Sequence, residues 1–164
     1  MLRHASAFLC CLTLALAAPT PPSVERPLTD YARVDVAAAK TSIYVGSVSL
    51  TMPTFVRAKG VFETTYVAKV FPYFFYNQNG KLNVEFSDEQ LRKLERGEVT
   101  EFKGQAIAED GELLRVEGKA TPADANSGKL KVRVLVSKRV ELIFNTTYRF
   151  PDVKPSPAAA APSP

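Results

Sequence analysis

Cysteine and histidine are almost missing from this chain of 164 residues, which has two cysteines, Cys10 and Cys11, and one histidine, His4. All three fall in residues 1–17, which read as a secretory signal. Arg3 supplies the positive start, an apolar run follows, and Ala15-Leu16-Ala17 gives the small-x-small cleavage pattern. The run is too short to span a bilayer, which takes about 20 residues. The expectation is an exported protein, periplasmic or extracellular, whose mature chain holds neither cysteine nor histidine. Disulfide stapling is then excluded, so stability has to come from a core. Zinc, copper and iron sites built on Cys or His are excluded too, as are Ser-His and Cys-His nucleophile pairs. No cofactor and no metal is expected.

Strong charge of one sign is also lacking. The full chain has 21 basic and 17 acidic residues. Without Arg3 the balance is 20 to 17, or +3, too weak a bias to argue for nucleic acid as a partner. The charges are unevenly spread. Residues 85–117 hold ten acidic and five basic side chains, and residues 129–149 hold six basic and one acidic. Compensation across neighbouring strands accounts for this without a partner. After the signal no segment is long and apolar enough for a membrane helix, no internal repeat is visible, and crossover helices of the kind a parallel sheet needs are absent.

What the chain does have is period-two alternation. Residues 18–29 are a Pro-rich lead-in and residues 153–164 a Pro/Ala-rich tail with too little apolar surface to order itself. Between them, residues 30–152 read as a single β-rich domain. A weak strand is expected over 31–38 and a stronger one over 41–52, with Tyr44, Val48, Leu50 and Met52 on one face. A hairpin is expected at 99–121, closing through Glu109-Asp110-Gly111-Glu112, with Phe102, Ala106, Leu114 and Val116 inward. In 129–136 the residues Leu130, Val132, Val134 and Val136 alternate with Lys129, Lys131 and Arg133. Val140, Leu142 and Phe144 continue an inward face, with a three-residue connection at Ser137-Lys138-Arg139.

The densest stretch is 61–97. It reads as a strand over 61–70, an aromatic segment over 71–76, a turn at 77–80, a second strand over 81–86 and one short helix. In this register Phe71, Tyr73 and Phe75 share the inward face of Leu82, Val84 and Phe86, while Phe74 and Tyr76 face outward. A bulge or bend near Pro72 is needed to keep Val70 and Phe71 both inside. The helix runs from Ser87 to Arg96, with Gln90 at the capping-box position, a Phe86–Leu91 staple and Gly97 as its stop. The fold class expected is an all-β antiparallel sandwich or small, partly open barrel of about seven or eight strands.

Site candidates follow from the same register. Phe74 and Tyr76, with Lys81 and Asn83 beside them, form a possible ligand or partner surface, because adjacent exposed aromatics mark contact sites. Lys129, Lys131 and Arg133 form a basic row that could meet an anionic polymer. The more ordinary reading is the solvated face of an edge or outer strand. The acids at Glu109, Asp110 and Glu112, and at Glu98 and Glu101, sit in polar turns, where carboxylates are simply solvated. Asn145-Thr146-Thr147 fits a glycosylation sequon inside a strand. The function expected is a small, non-catalytic exported domain that binds or supports a cell-envelope polymer or protein. The alternatives are a lipocalin-like carrier, its barrel lined by Phe62, Tyr66, Tyr73 and Phe75, and a carboxylate hydrolase. The carrier requires a cavity of about 300 Å³ or more, and the hydrolase two acids about 5–9.5 Å apart across a cleft.

Overall fold

The computed structural model describes residues 26–137 and 140–153. The residues read as a signal, most of the lead-in, Lys138 and Arg139 of the expected 137–139 connection, and the tail from 154 onward lie outside the described residues. A 3-10 turn at Leu28–Tyr31 precedes ten strand segments: β1 (Arg33–Val36), β2 (Ala39–Ile43), β3 (Gly46–Thr51), β4 (Phe55–Ala58), β5 (Val61–Phe71), β6 (Gln78–Glu85), β7 (Thr100–Ala108), β8 (Leu113–Pro122), β9 (Ser127–Leu135) and β10 (Glu141–Arg149). A second 3-10 turn, Phe74–Tyr76, joins β5 to β6, and helix α1 (Asp88–Glu95) joins β6 to β7.

Every pairing is antiparallel. β5 pairs with β4, β4 with β1, β1 with β10, and the order then runs through β9, β8, β7 and β6 back to β5, an eight-membered closed ring. β2 and β3 lengthen that ring at one end. Arg33 lies opposite Val56 and Ile43 opposite Gly46, so β1–β2 and β3–β4 are the two arms of a single hairpin in one register, interrupted near Ala37-Ala38 and Pro53. β3 pairs with the second half of β5. The Ala37 N–H donates to the Thr147 carbonyl (3.0 Å), and the Thr146 hydroxyl donates to the Ala37 carbonyl (2.7 Å), which holds β2 beside β10. The molecule is therefore a barrel rather than a sandwich, and closure leaves it without long open edges.

Period-two alternation turns into an inside and an outside. In β7, Thr100, Phe102, Gly104, Ala106 and Ala108 are buried, while Glu101, Lys103 and Gln105 face solvent. Charged and polar residues recur on the outer wall in β5, β6, β8 and β9, the reverse of a barrel that spans a membrane. One end is plugged. Leu91 and Leu94 of α1, Tyr31, Phe86, Phe102, Phe150 and Val153 are all buried there. Tyr31 and Phe150 meet edge to face at 5.0 Å, and Phe62 meets Phe86 at 6.1 Å. The ordered body thus begins before residue 30 and reaches past 152. Arg26 donates to Glu95 and Val153 is buried.

Several local expectations hold. Ser87 and Gln90 form the full capping box of α1, and Gly97 takes positive φ after it. The 99–121 hairpin closes at 109–112, and its four expected inward residues are buried. Others are overturned. Residues 41–52 are not one strand but turn over at Tyr44-Val45, leaving Tyr44 fully exposed at the tip. Gly46 makes that turn at φ 136°, and a Cβ there would overlap the Phe71 carbonyl oxygen. The ambiguous 54–60 region contains β4. Phe71, Tyr73 and Phe75 are not core: they are 60%, 37% and 76% exposed. β5 keeps strict alternation through Val70, so Phe71 faces outward. The chain then leaves the sheet in a 3-10 turn rather than reversing parity inside a strand, and β6 begins earlier than expected, at Gln78.

Candidate functional site

The up-and-down topology sorts the loops. The Leu28–Tyr31 turn, the Lys59-Gly60 turn, α1 and the 123–126 loop lie at the plugged end. The Tyr44-Val45, 72–77 and 109–112 connections, with the end of β9 and the start of β10, lie at the other, which we call the mouth. Inside the mouth is a cavity of about 1060 Å³, at the upper end of the range for small-molecule sites. Its walls are the inward rows of the strands. Ile43, Leu50, Ala68, Val70, Val132 and Val134 line it and are only half-buried although they face the barrel axis, so their residual exposure is to the cavity. Deeper down, Phe62, Leu82, Val84, Leu114, Val116 and Ala120 are buried.

Two glycines shape the lower wall. Gly118 faces inward beneath the Phe102 ring, and Gly128 lies under the Tyr148 phenol; a Cβ at either would overlap those rings. The aromatic side chains therefore lie along the wall. Burial, and then the nearby Asp124 carboxylate, push the Tyr148 hydroxyl up to about 12.

Charge is nearly absent from the lining. Its one ionisable carboxylate among the described residues is Glu141, at the mouth, 3.4 Å from Arg133. The two facing acids that a glycosidase-type mechanism needs do not occur among the described lining residues. Such a wall has no compensation to offer a buried charge. Thr41, Ser42 and Gln78 add polarity near the mouth. The Tyr66 hydroxyl is buried in the wall without a hydrogen-bond partner among the described residues. Burial, then Asp110 and Glu112, raise its pKa. Asp110 and Glu112 belong to the 109–112 turn of the mouth.

The rim itself is aromatic. Tyr44, Phe71, Phe74, Phe75 and Tyr76 are each at least 60% exposed. Phe75 and Tyr76 have ring centroids 4.5 Å apart, Phe71 and Phe74 5.9 Å, and Tyr73 and Phe75 5.9 Å. Tyr73 and Tyr76 reach the cavity lining; Phe74 and Phe75 do not. Of the four residues expected to line a barrel, Phe62, Tyr66 and Tyr73 do so and Phe75 does not.

Phe74 and Tyr76 are both exposed at the mouth, Phe74 against Phe71 and Tyr76 against Tyr73 and Phe75. Lys81 and Asn83 are not beside them: they alternate outward from Leu82 and Val84 on the flank of β6, opposite Thr65 and Glu63 of β5. Lys129, Lys131 and Arg133 form one outward row on β9. That strand lies between β8 and β10, so the row is not on an edge. Arg133 sits opposite Glu117, whereas Lys131 faces Lys119, so charge compensation across the sheet is only partial. Asn145 of the sequon is exposed on the outer face of β10.

Sequence reasoning missed Tyr44, Val45, Val36 and Ile43 as parts of the mouth and wall. Gly46 was the available signal for the first two, since a glycine inside a strand marks a turn or close backbone approach. The geometry defines a closed antiparallel barrel with an apolar cavity open at one aromatic-rimmed end. Comparison of the chain with protein-family models, with curated proteins and with solved structures returns no match.

Proposed function

We propose that the protein is an exported, non-catalytic binding module that carries an apolar small molecule in its barrel. The observation that carries this reading is the 1060 Å³ cavity, walled by aliphatic side chains and open at one end. Natural interiors are close-packed, and a void of this size forfeits the dispersion contacts that filling it would supply. A ligand restores them and removes the apolar wall from water. The signal pattern of residues 1–17 supports export.

Titration of the mature chain with a neutral naphthylamine dye tests the reading. One saturable site with enhanced, blue-shifted emission is expected, and the signal should vanish when the protein is unfolded in urea. Absence of saturable binding to the folded chain overturns the carrier.

A second reading is favoured by the exposed rings at the rim: a contact surface for a cell-envelope polymer or protein. Retention of the mature domain on envelope fractions should fall in a Phe74→Ala/Tyr76→Ala variant that keeps its fold. Unchanged retention counts against it.

A further inference from the structure

The cavity is unequal along its axis, and that inequality specifies the shape of its ligand. Its lower end is closed and mostly hydrocarbon. Phe62, Phe86, Leu94, Phe102 and Phe150 line it, with Phe86–Phe102 centroids 6.1 Å apart and Phe62–Phe150 6.5 Å apart. α1 lies across it, held at its start by the capping box. Most polar side chains of the lining gather at the other end: Thr41 and Ser42 on β2, Gln78 at the start of β6 and Glu141 at the start of β10, with the phenols of Tyr73 and Tyr76 beside them. Farther in, the polar lining is Tyr66, Tyr148 and Thr146, whose hydroxyl already donates to the Ala37 carbonyl. A polar group carried to the plugged end would lose water and meet little beyond the Tyr148 phenol, whereas at the mouth it keeps both solvent and several side-chain partners. The hydrocarbon part of a ligand gains most toward the plugged end, where rings and aliphatic side chains make up most of the wall. An eight-stranded ring has room for one slender ligand beyond its own side chains.

We propose, building on the carrier reading, that the ligand is a single-chain amphiphile bound tail-first, with its hydrocarbon end against Phe62 and Phe102 and its polar head at the mouth beside Thr41 and Gln78. The direction follows from the side chains alone. It is also the direction in which the ligand can enter, because the plugged end offers no opening among the described residues and the head need never cross the apolar wall.

Two stearates carrying a nitroxide, one near the carboxylate and one near the methyl terminus, test this against the isotope-labelled mature protein. Paramagnetic broadening of backbone amide signals is the readout, with the naphthylamine dye titrated in parallel. The methyl-terminal label is expected to broaden Phe62 and Phe102 beyond detection and to spare Ile43 and Gln78. The carboxyl-terminal label is expected to do the opposite. The reverse pattern, or equal broadening of both sets by either label, overturns the tail-first assignment and leaves the carrier intact. Dye binding without stearate binding overturns the amphiphile and again leaves the carrier. Failure of both probes to bind the folded chain overturns the carrier reading and this assignment together.

Discussion

Gly118 shows how a single missing side chain shapes the interior. It faces the barrel axis on β8, opposite Phe102 of β7, and a Cβ there would overlap the ring. Gly118→Val should lower stability by about 1–3 kcal/mol. The urea midpoint should fall with the denaturant slope unchanged; an unchanged midpoint would mean the ring can move aside. Val134 is the opposite case, a half-buried residue on the cavity wall with room before it. Val134→Trp should weaken dye binding roughly tenfold or more while leaving the thermal midpoint near that of the wild type, because the added ring occupies space the ligand needs. Full-affinity binding would place the ligand elsewhere. Tyr148 makes a pH prediction. Its hydroxyl is raised from 10.0 to about 12 in the folded chain, so the folded state holds its proton longer than the unfolded one. The associated stability is complete below about pH 10 and is lost as pH rises through about 12. Tyr31 and Tyr66 are raised as well and act in the same direction. Tyr148→Phe should therefore flatten part of the alkaline decline in urea stability, and an identical decline would rule out the assignment.

At the scale of elements, α1 is both the most legible segment and the plug of the barrel. Its boundaries follow from local chemistry: Ser87 accepts from the Gln90 N–H, and the Gln90 side chain accepts from the Ser87 N–H. Ser87→Ala should cost about 1 kcal/mol, read as a lower urea midpoint, with dye affinity retained because no cavity residue changes. The outcome to watch is lost dye affinity at full stability, which would tie the cap to the site. The 71–76 segment was the least legible element. Its six residues, five of them aromatic, satisfy an inward strand pattern as readily as an exposed turn. Hydrophobicity alone cannot distinguish a ring that faces a core from one that rims a mouth. The choice was made by β3: Ser47 pairs with Phe71, and Gly46 abuts its carbonyl, so β5 must end there and the chain must leave the sheet. The basic row on β9 was legible as outward-facing, but its neighbours were not, since strand order assigns Glu117 and Lys119 opposite it.

For the whole molecule, a ligand that binds only the folded barrel must stabilise it. At a ligand concentration about 100 times its Kd the gain is about 2.7 kcal/mol. The thermal midpoint should therefore rise with dye or stearate concentration and keep rising logarithmically past saturation. A midpoint indifferent to ligand would separate dye emission from binding to the native cavity.

By itself the sequence determined what depends on neighbours along the chain. Period-two alternation set the inward faces of β7 to β10, the cap delimited α1, Asp110-Gly111 placed the hairpin, and residues 18–164 contain neither histidine nor cysteine. Only the tertiary structure decided what depends on distant partners. The pairing of β1 with β10 and of β5 with β6 closes the ring, and closure turns inward rows into the walls of a cavity. No local pattern distinguishes a row that fills a core from one that surrounds a space, because both need the same apolar residues at the same spacing. The difference lies in how many strands complete the ring and in what plugs one end while leaving the other open.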